Sequence, residues 1–306
     1  MTGPDRVTAF REDIAASPAA LGRLLDAWRA PDLGGRRRFL LAGLGSSRYA
    51  SLVVAGQARA RGATAWVEVA GGDAPAAPDE DLVVVVVSAS GRTPEALRTA
   101  ERHAGRGLVV AVTNHPDGPL GERADLVVAL EAGEEESGIA ARSFRATLAA
   151  LGLLTAATSV EALRPAVDGL GVALASTDWI GPAADALHNA PSIDVTGPAA
   201  QLGVAEQAAL MLREAPRLPA HAFETADWLH VGVYLALPGH RLVLLPGSPV
   251  DDDVIATVER RGGAVIRLPE PSSRLDPIAR AIVASLAAEL LAVELWARAT
   301  AADAEP

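Results

Sequence analysis

Six residues, Ser88-Ala89-Ser90-Gly91-Arg92-Thr93, follow an unbroken leucine-valine run and lead straight into Pro94-Glu95. Three hydroxyls, a glycine and a proline suited to a first helical position describe a loop that opens a helix. Such a loop presents free backbone N–H groups, side-chain hydroxyls and the positive end of a helix dipole, which together hold a phosphate without lysine. Arg92 can add charge. A second loop of similar chemistry, Gly43-Leu44-Gly45-Ser46-Ser47, follows another apolar run. Read alone, the first loop fits an ordinary Gly/Ser turn with a helix N-cap equally well.

Other chemistries are closed to this chain. It has 306 residues, and its 27 basic side chains are all arginine; lysine and cysteine are both absent. Schiff bases, a pyridoxal-phosphate anchor, a P-loop lysine, thiol nucleophiles and thiolate metal sites are therefore excluded. The net charge of −11 argues against a nucleic-acid partner. Half the residues are hydrophobic, enough for a sizeable core, and aromatics make up only 4%, so alanine, valine and leucine must fill it. The start of the chain lacks an apolar signal region, and the alanine/leucine stretch around 146–158 is too short to span a membrane. A cytoplasmic protein is expected. His103, His115, His188, His221 and His240 lack metal-ligand spacing, and no G-x-G-x-x-G follows the first strand, so neither a metal nor a cofactor is expected. The run Arg36–Arg38 reads as a solvated turn.

The loops need elements to carry them. Continuous apolar runs at Phe39–Ala42, Ala65–Val69, Leu82–Val87, Leu108–Val112 and Leu126–Leu130 have the character of parallel strands buried on both faces. Helical segments are expected at Arg48–Arg61, Pro94–Ala104 and Pro119–Ala124. The pattern resumes with strands at Ser192–Thr196, Leu242–Leu245 and Ala264–Leu268, and helices at Ala199–Glu214, Asp252–Arg261 and Asp276–Arg298. Alternation of this kind makes an α/β protein. FLLAGLGSS pairs with SIDVTGPAA, and LVVVVVSAS with RLVLLPGSP, which points to an internal duplication. The expected architecture is two tandem, doubly wound, flavodoxin-like parallel-sheet subdomains, over 1–165 and 166–306. The loop of the second half, Pro246–Val250, runs into Asp251, Asp252 and Asp253. Those aspartates favour a helix start but repel phosphate, so one anion site per chain is expected, in the first half.

The two loops, the stretch EESGIAARSF at 135–144 and the duplication resemble the SIS (sugar isomerase) family. The likeness is to the double-SIS isomerase domain of glucosamine-6-phosphate synthase and to the SIS-type phosphosugar deaminases and deglycases, and it covers nearly the whole chain. It implies a phosphorylated sugar held by Ser88, Ser90, Gly91 and Thr93, with Ser46 and Ser47 from the first loop. Glu214, ending a helix that resembles the family's E-G-A-L-K-L-K-E, is similar to the base that moves a proton between C1 and C2. His230 is similar to the ring-opening histidine, which a neighbouring subunit of a homodimer donates. Arg142 and Ser143 match supporting positions, and Glu134–Glu136 reads as a solvated acidic turn. The implied function is a phosphosugar isomerase or deaminase acting on a hexose or aminohexose 6-phosphate. The alternatives are a non-catalytic phosphosugar sensor or regulator, and an isomerase subunit served by a separate ammonia-supplying chain. The family's lysines are missing: Met211 and Leu229 stand at two such positions, and the end of the chain, Ala299 to Pro306, is short and acidic.

Overall fold

Residues 82–87, Leu-Val-Val-Val-Val-Val, are all buried because helices cover both faces of the strand they form. The computed structural model describes residues 3–188 and 190–302; the acidic end at 303–306 lies outside the described residues. The chain enters through α1 (Gly3–Ala15) and α2 (Ser17–Ala27). It then alternates through β1 (Arg38–Gly43), α3 (Ser46–Ala60), β2 (Thr64–Val69), β3 (Leu82–Val87), α4 (Pro94–His103), β4 (Leu108–Thr113) and β5 (Leu126–Ala129). Four helices follow: α5 (Arg142–Leu154), α6 (Val160–Leu163), α7 (Pro165–Ala175) and α8 (Ile180–Leu187). The last stretch comprises β6 (Ile193–Gly197), α9 (Leu202–Glu214), β7 (Ala220–Glu224), α10 (Thr225–Trp228), β8 (Arg241–Leu244), α11 (Asp251–Arg260), β9 (Ala264–Arg267) and α12 (Pro277–Ala302).

Both sheets are parallel throughout, with orders β2-β1-β3-β4-β5 and β7-β6-β8-β9. The chain is α/β, as the alternation of runs implies, and the two sheets share the order of their first four strands. Residue parity sorts the layers. Phe39, Leu41, Val83, Val85 and Val87 pack with α3, α5, α9 and α12, whereas Leu40, Val84 and Val86 pack with Ala96 and Ala100 of α4. In the second sheet Ile193 and Val195 join the first of these cores, and Leu242 and Leu244 face Val254 and Val258 of α11. One apolar core thus runs from the inner face of one sheet to that of the other.

Two contacts show how closely the units are joined. A side chain at Gly203 of α9 would lie 2.0 Å from the Tyr49 carbonyl of α3, so only glycine permits that approach. At the centre, Arg145 of α5 donates to Glu289 of α12 at 2.6 Å and to the Ser17 hydroxyl of α2 at 2.8 Å, with both charged side chains sealed from solvent.

Several elements depart from the sequence expectation. Helices α1 and α2 and strand β7 were not foreseen; β7 is a short edge strand with an exposed histidine, His221, so its apolar signal is weak. The helix expected at Pro119–Ala124 is a single 3-10 turn, Gly121–Arg123. Arg36, Arg37 and Arg38 are spent on the Glu80 carbonyl, the Arg61 carbonyl and Asp79, as a solvated turn would have them. Among the described residues no helix is long and apolar enough to cross a membrane.

Burial pushes the Glu289 carboxyl up to about 7 from an ordinary 4.5, against the attraction of Arg145. A carboxyl raised on folding favours the folded state at low pH and burdens it as pH climbs from 4.5 through 7. Arg145→Met leaves that burden without a partner. We expect urea unfolding to show a loss of about 3–5 kcal/mol at pH 8 and a clearly smaller loss at pH 5.

Candidate functional site

Helices α3 and α4 leave β1 and β3 toward opposite faces of the sheet, so the loops above these neighbouring strands part and leave a crevice. A cavity of about 370 Å³ fills it. Ser46, Ser47, Ser88, Ser90 and Thr93 all line this cavity, and Gly91 lies in the loop beneath. Gly91 has φ 63°, and a side chain there would meet the Thr113 hydroxyl at 2.9 Å. The position therefore needs glycine on two counts.

The loop is held from below by β4. Asn114 N–H and the Thr113 hydroxyl both donate to the Ala89 carbonyl, at 3.0 and 3.2 Å, and Leu120 N–H donates to the Gly91 carbonyl at 3.0 Å. Above, the hydroxyls of Ser88 and Thr93 lie 3.0 Å apart, and those of Ser88 and Ser90 lie 3.5 Å apart. Thr93 is the N-cap residue of α4, yet its side chain makes no capping hydrogen bond. The hydroxyl is turned into the cavity cluster, at the start of a helix in which Pro94 has no N–H and the Glu95 carboxylate accepts from its own backbone N–H.

The opposite wall corrects the sequence reading of 134–136. Glu135 is not part of a solvated turn. Its Oε1 accepts from the N–H groups of Ala141 and Ser143 at 2.6 and 3.1 Å, and its Oε2 accepts from the Ser143 hydroxyl at 2.5 Å. It thereby caps α5 across a loop and lines the cavity. Burial raises its carboxyl above the ordinary carboxylate range, although those hydrogen bonds pull it down. Arg142 fastens the same loop by donating to Asp13 of α1 at 2.7 Å and to the Glu134 carbonyl. Ser143 both supports the wall and faces the cavity. Asn114, His115 and Glu134 complete the polar lining; sequence reading passed over Asn114, took His115 only as a histidine without metal-ligand spacing and took Glu134 as part of a solvated turn, because loop residues carry no periodic signal.

Glu214 and His230 are not among the lining residues. Glu214 is half-buried at the end of α9, and burial raises its carboxyl while Arg213 and Arg217 oppose the shift. Seven residues earlier on the same helix face, Gln207 donates to the Ala140 carbonyl in the cavity wall at 3.0 Å. Glu214 is therefore about 10 Å further along the helix axis. His230 is exposed in the turn after α10, beside a run of outward-facing apolar residues, Val231, Tyr234 and Leu235.

The second half places Pro246–Val250 at the matching position above β8. Here Asp251 is buried, and its Oδ2 accepts from the N–H groups of Gly247 and Ser248 at 2.7 and 3.2 Å. An internal carboxylate thus occupies the amides that a phosphate would need.

Residues 35–157 match the SIS domain family. The chain is 30% identical over 284 residues to the glutamine–fructose-6-phosphate aminotransferase (isomerizing) of Aeropyrum pernix, an alignment that covers 85% of this chain and 45% of that protein. The chain therefore spans less than half the length of this curated relative. Among solved structures, glucosamine-6-phosphate deaminase from Thermotoga maritima superposes with a TM-score of 0.77 at 17% identity, covering 95% of this chain and 94% of that one. The C-terminal domain of glucosamine-fructose-6-phosphate aminotransferase from Francisella tularensis gives 0.75 at 17% identity, covering 94% and 96%. At these identities the structural likeness is one of fold. With the cavity at the crevice between β1 and β3, these matches make residues 35–157 a SIS domain within a chain homologous in sequence to the aminotransferase.

Proposed function

We propose that the first-half cavity binds the phosphate of a hexose or aminohexose 6-phosphate, and that the protein isomerises or deaminates that sugar. One observation carries the reading: Ser88, Ser90 and Thr93 turn their hydroxyls into a cavity at the uncapped start of α4. Moving a hydrogen between C1 and C2 of an opened sugar needs a carboxylate base and a second group to handle the ring-oxygen proton. Glu214 is the candidate base, and burial raises its carboxyl above the ordinary carboxylate range, which makes it a stronger base. His230, exposed beside apolar residues, is available to a neighbouring copy in a homodimer. We place this protein in the cytoplasm. An ammonia-supplying chain is the partner in the alternative in which this protein is an isomerase subunit that takes up ammonia to aminate the sugar.

A second reading is favoured by the position of Glu214 and His230 outside the cavity lining and by the absence of lysine. In it the protein senses a phosphosugar without turning it over. Fructose 6-phosphate and glucosamine 6-phosphate are the substrates to offer, with ketose, aldose and ammonia followed over time. The enzyme reading expects turnover that Glu214→Gln lowers by about 100-fold or more while binding persists. Turnover should rise with pH through a value above the ordinary carboxylate range, because the base must be ionised. Tight binding without turnover of either sugar would leave the sensor.

Two binding measurements test the cradle. Ser90→Ala should lose most of the thermal stabilisation that fructose 6-phosphate confers, and unchanged stabilisation would place the phosphate elsewhere. Calorimetry should find one site per chain, since Asp251 fills the second loop; Asp251→Asn should cost about 1–2 kcal/mol of stability by weakening its two amide contacts.

A further inference from the structure

Resting on the phosphate reading of the first-half cavity, we propose that His115 is the cationic partner of the bound phosphate, handed to it from Glu134 at the cavity rim. A dianion entering this cavity meets hydroxyls, amides and two carboxylates, Glu134 and Glu135. Among the described residues no arginine lines it. Arg48, at the start of α3, is held by Glu206 at 2.8 Å and lies over the Tyr49 ring. Arg142 is held by Asp13. Arg92 sits in the phosphate loop but is exposed and outside the lining. Of the side chains that do line the cavity, His115 alone among the described residues can become a cation.

Its placement suits that task. His115 belongs to the segment that supports the phosphate loop. Its N–H donates to the Thr113 hydroxyl at 3.1 Å, and its Cβ lies 3.8 Å from where a side chain at Gly91 would begin. Its imidazole is partly exposed, with Nε2 3.5 Å from Glu134 Oε1. Glu134 is 72% exposed, so it can swing into water when a stronger anion arrives. An imidazole can hold a second proton when an anion lies beside it, so an arriving dianion can draw a proton onto it. The charged groups around it are Glu134 and Glu135 on the facing wall, Arg142 at the start of α5, Arg92 in the phosphate loop and Asp117 in its own loop. Bound in this way, the phosphate gains the positive charge that a lysine-free cavity otherwise lacks.

Calorimetric titration of the full chain with inorganic sulfate and with fructose 6-phosphate, in two buffers of different ionisation enthalpy, tests this. Sulfate stays a dianion throughout the range, so any proton uptake on binding belongs to the protein. Wild type should take up protons. His115→Gln should bind about tenfold more weakly and lose that uptake, a change that a purely supporting role would not produce. Glu134→Gln should bind several-fold more tightly, because the competing carboxylate is gone. Thermal melting confirms that each variant is folded. If Ser90→Ala loses binding while His115→Gln keeps both affinity and proton uptake, the assignment of His115 is overturned and the phosphate loop stands. If Ser90→Ala binds as wild type does, the loop reading falls, and the role of His115 falls with it.

Discussion

The site depends on a parting of ways between two neighbouring strands. Strands β1 and β3 lie side by side, but α3 returns over one face of the sheet and α4 over the other. Strict alternation along the strands enforces this. Shifting β3 by one residue would turn Val83, Val85 and Val87 toward α4 and expose the wrong face to α3. With the register fixed, the loops above β1 and β3 cannot pack against each other. They leave a crevice floored by strand ends and walled by amides and hydroxyls, and the rest of the molecule serves to hold that crevice at constant width. The arm α1 anchors the far wall through Asp13, and the core shared by α3, α5, α9 and α12 prevents the sheets from sliding.

The same loop position, after the third strand of each sheet, occurs twice with opposite electrostatic outcomes. Above β8 the loop amides are taken by Asp251 from the first turn of the following helix. Above β3 the following helix starts with Thr93 and Pro94, and its first acidic side chain, Glu95, accepts from its own backbone N–H and from Arg98 rather than from the loop amides. One residue at a helix start therefore decides whether such a loop stabilises the fold or remains open to a ligand. An internal aspartate gives the loop a permanent anion at no cost in binding entropy. A hydroxyl gives it a partner that can be exchanged.

How much of this was legible in the sequence follows the range of each signal. The strands of both sheets, apart from β7, were visible because burial on both faces leaves continuous apolar runs. The loop 88–93 that opens α4 was visible because its glycine and the following proline are each required locally. Asp251 was legible as a repulsive charge, though not as a group already bound to the loop. Glu135 was illegible for a different reason. Three glutamates in a row look solvated, and only the start of α5, seven residues on, turns the middle one inward. His115 and Asn114 gained their place from β4 ending beneath Gly91, a contact between segments 24 residues apart that no local pattern reports.

The absence of lysine takes on structural meaning at two positions. Met211, where the resembling family has a lysine, is fully buried in α9 against the shared core, and its sulfur lies 3.7 Å from the Gln207 amide. An ammonium there would have to be desolvated among Leu212, Ala208 and the helices of that core, at a cost of several kcal/mol without a paired anion. Leu229 likewise packs beside Trp228 and Phe223. At both places the chain uses apolar packing where the resembling family uses charge. Positive charge at the cavity must then come from backbone amides, a helix terminus and whatever imidazole lies within reach. On the proposed reading such a site holds its anion through arrangement rather than through a fixed cation, and its strength should follow the integrity of the loop more than the composition of the surface.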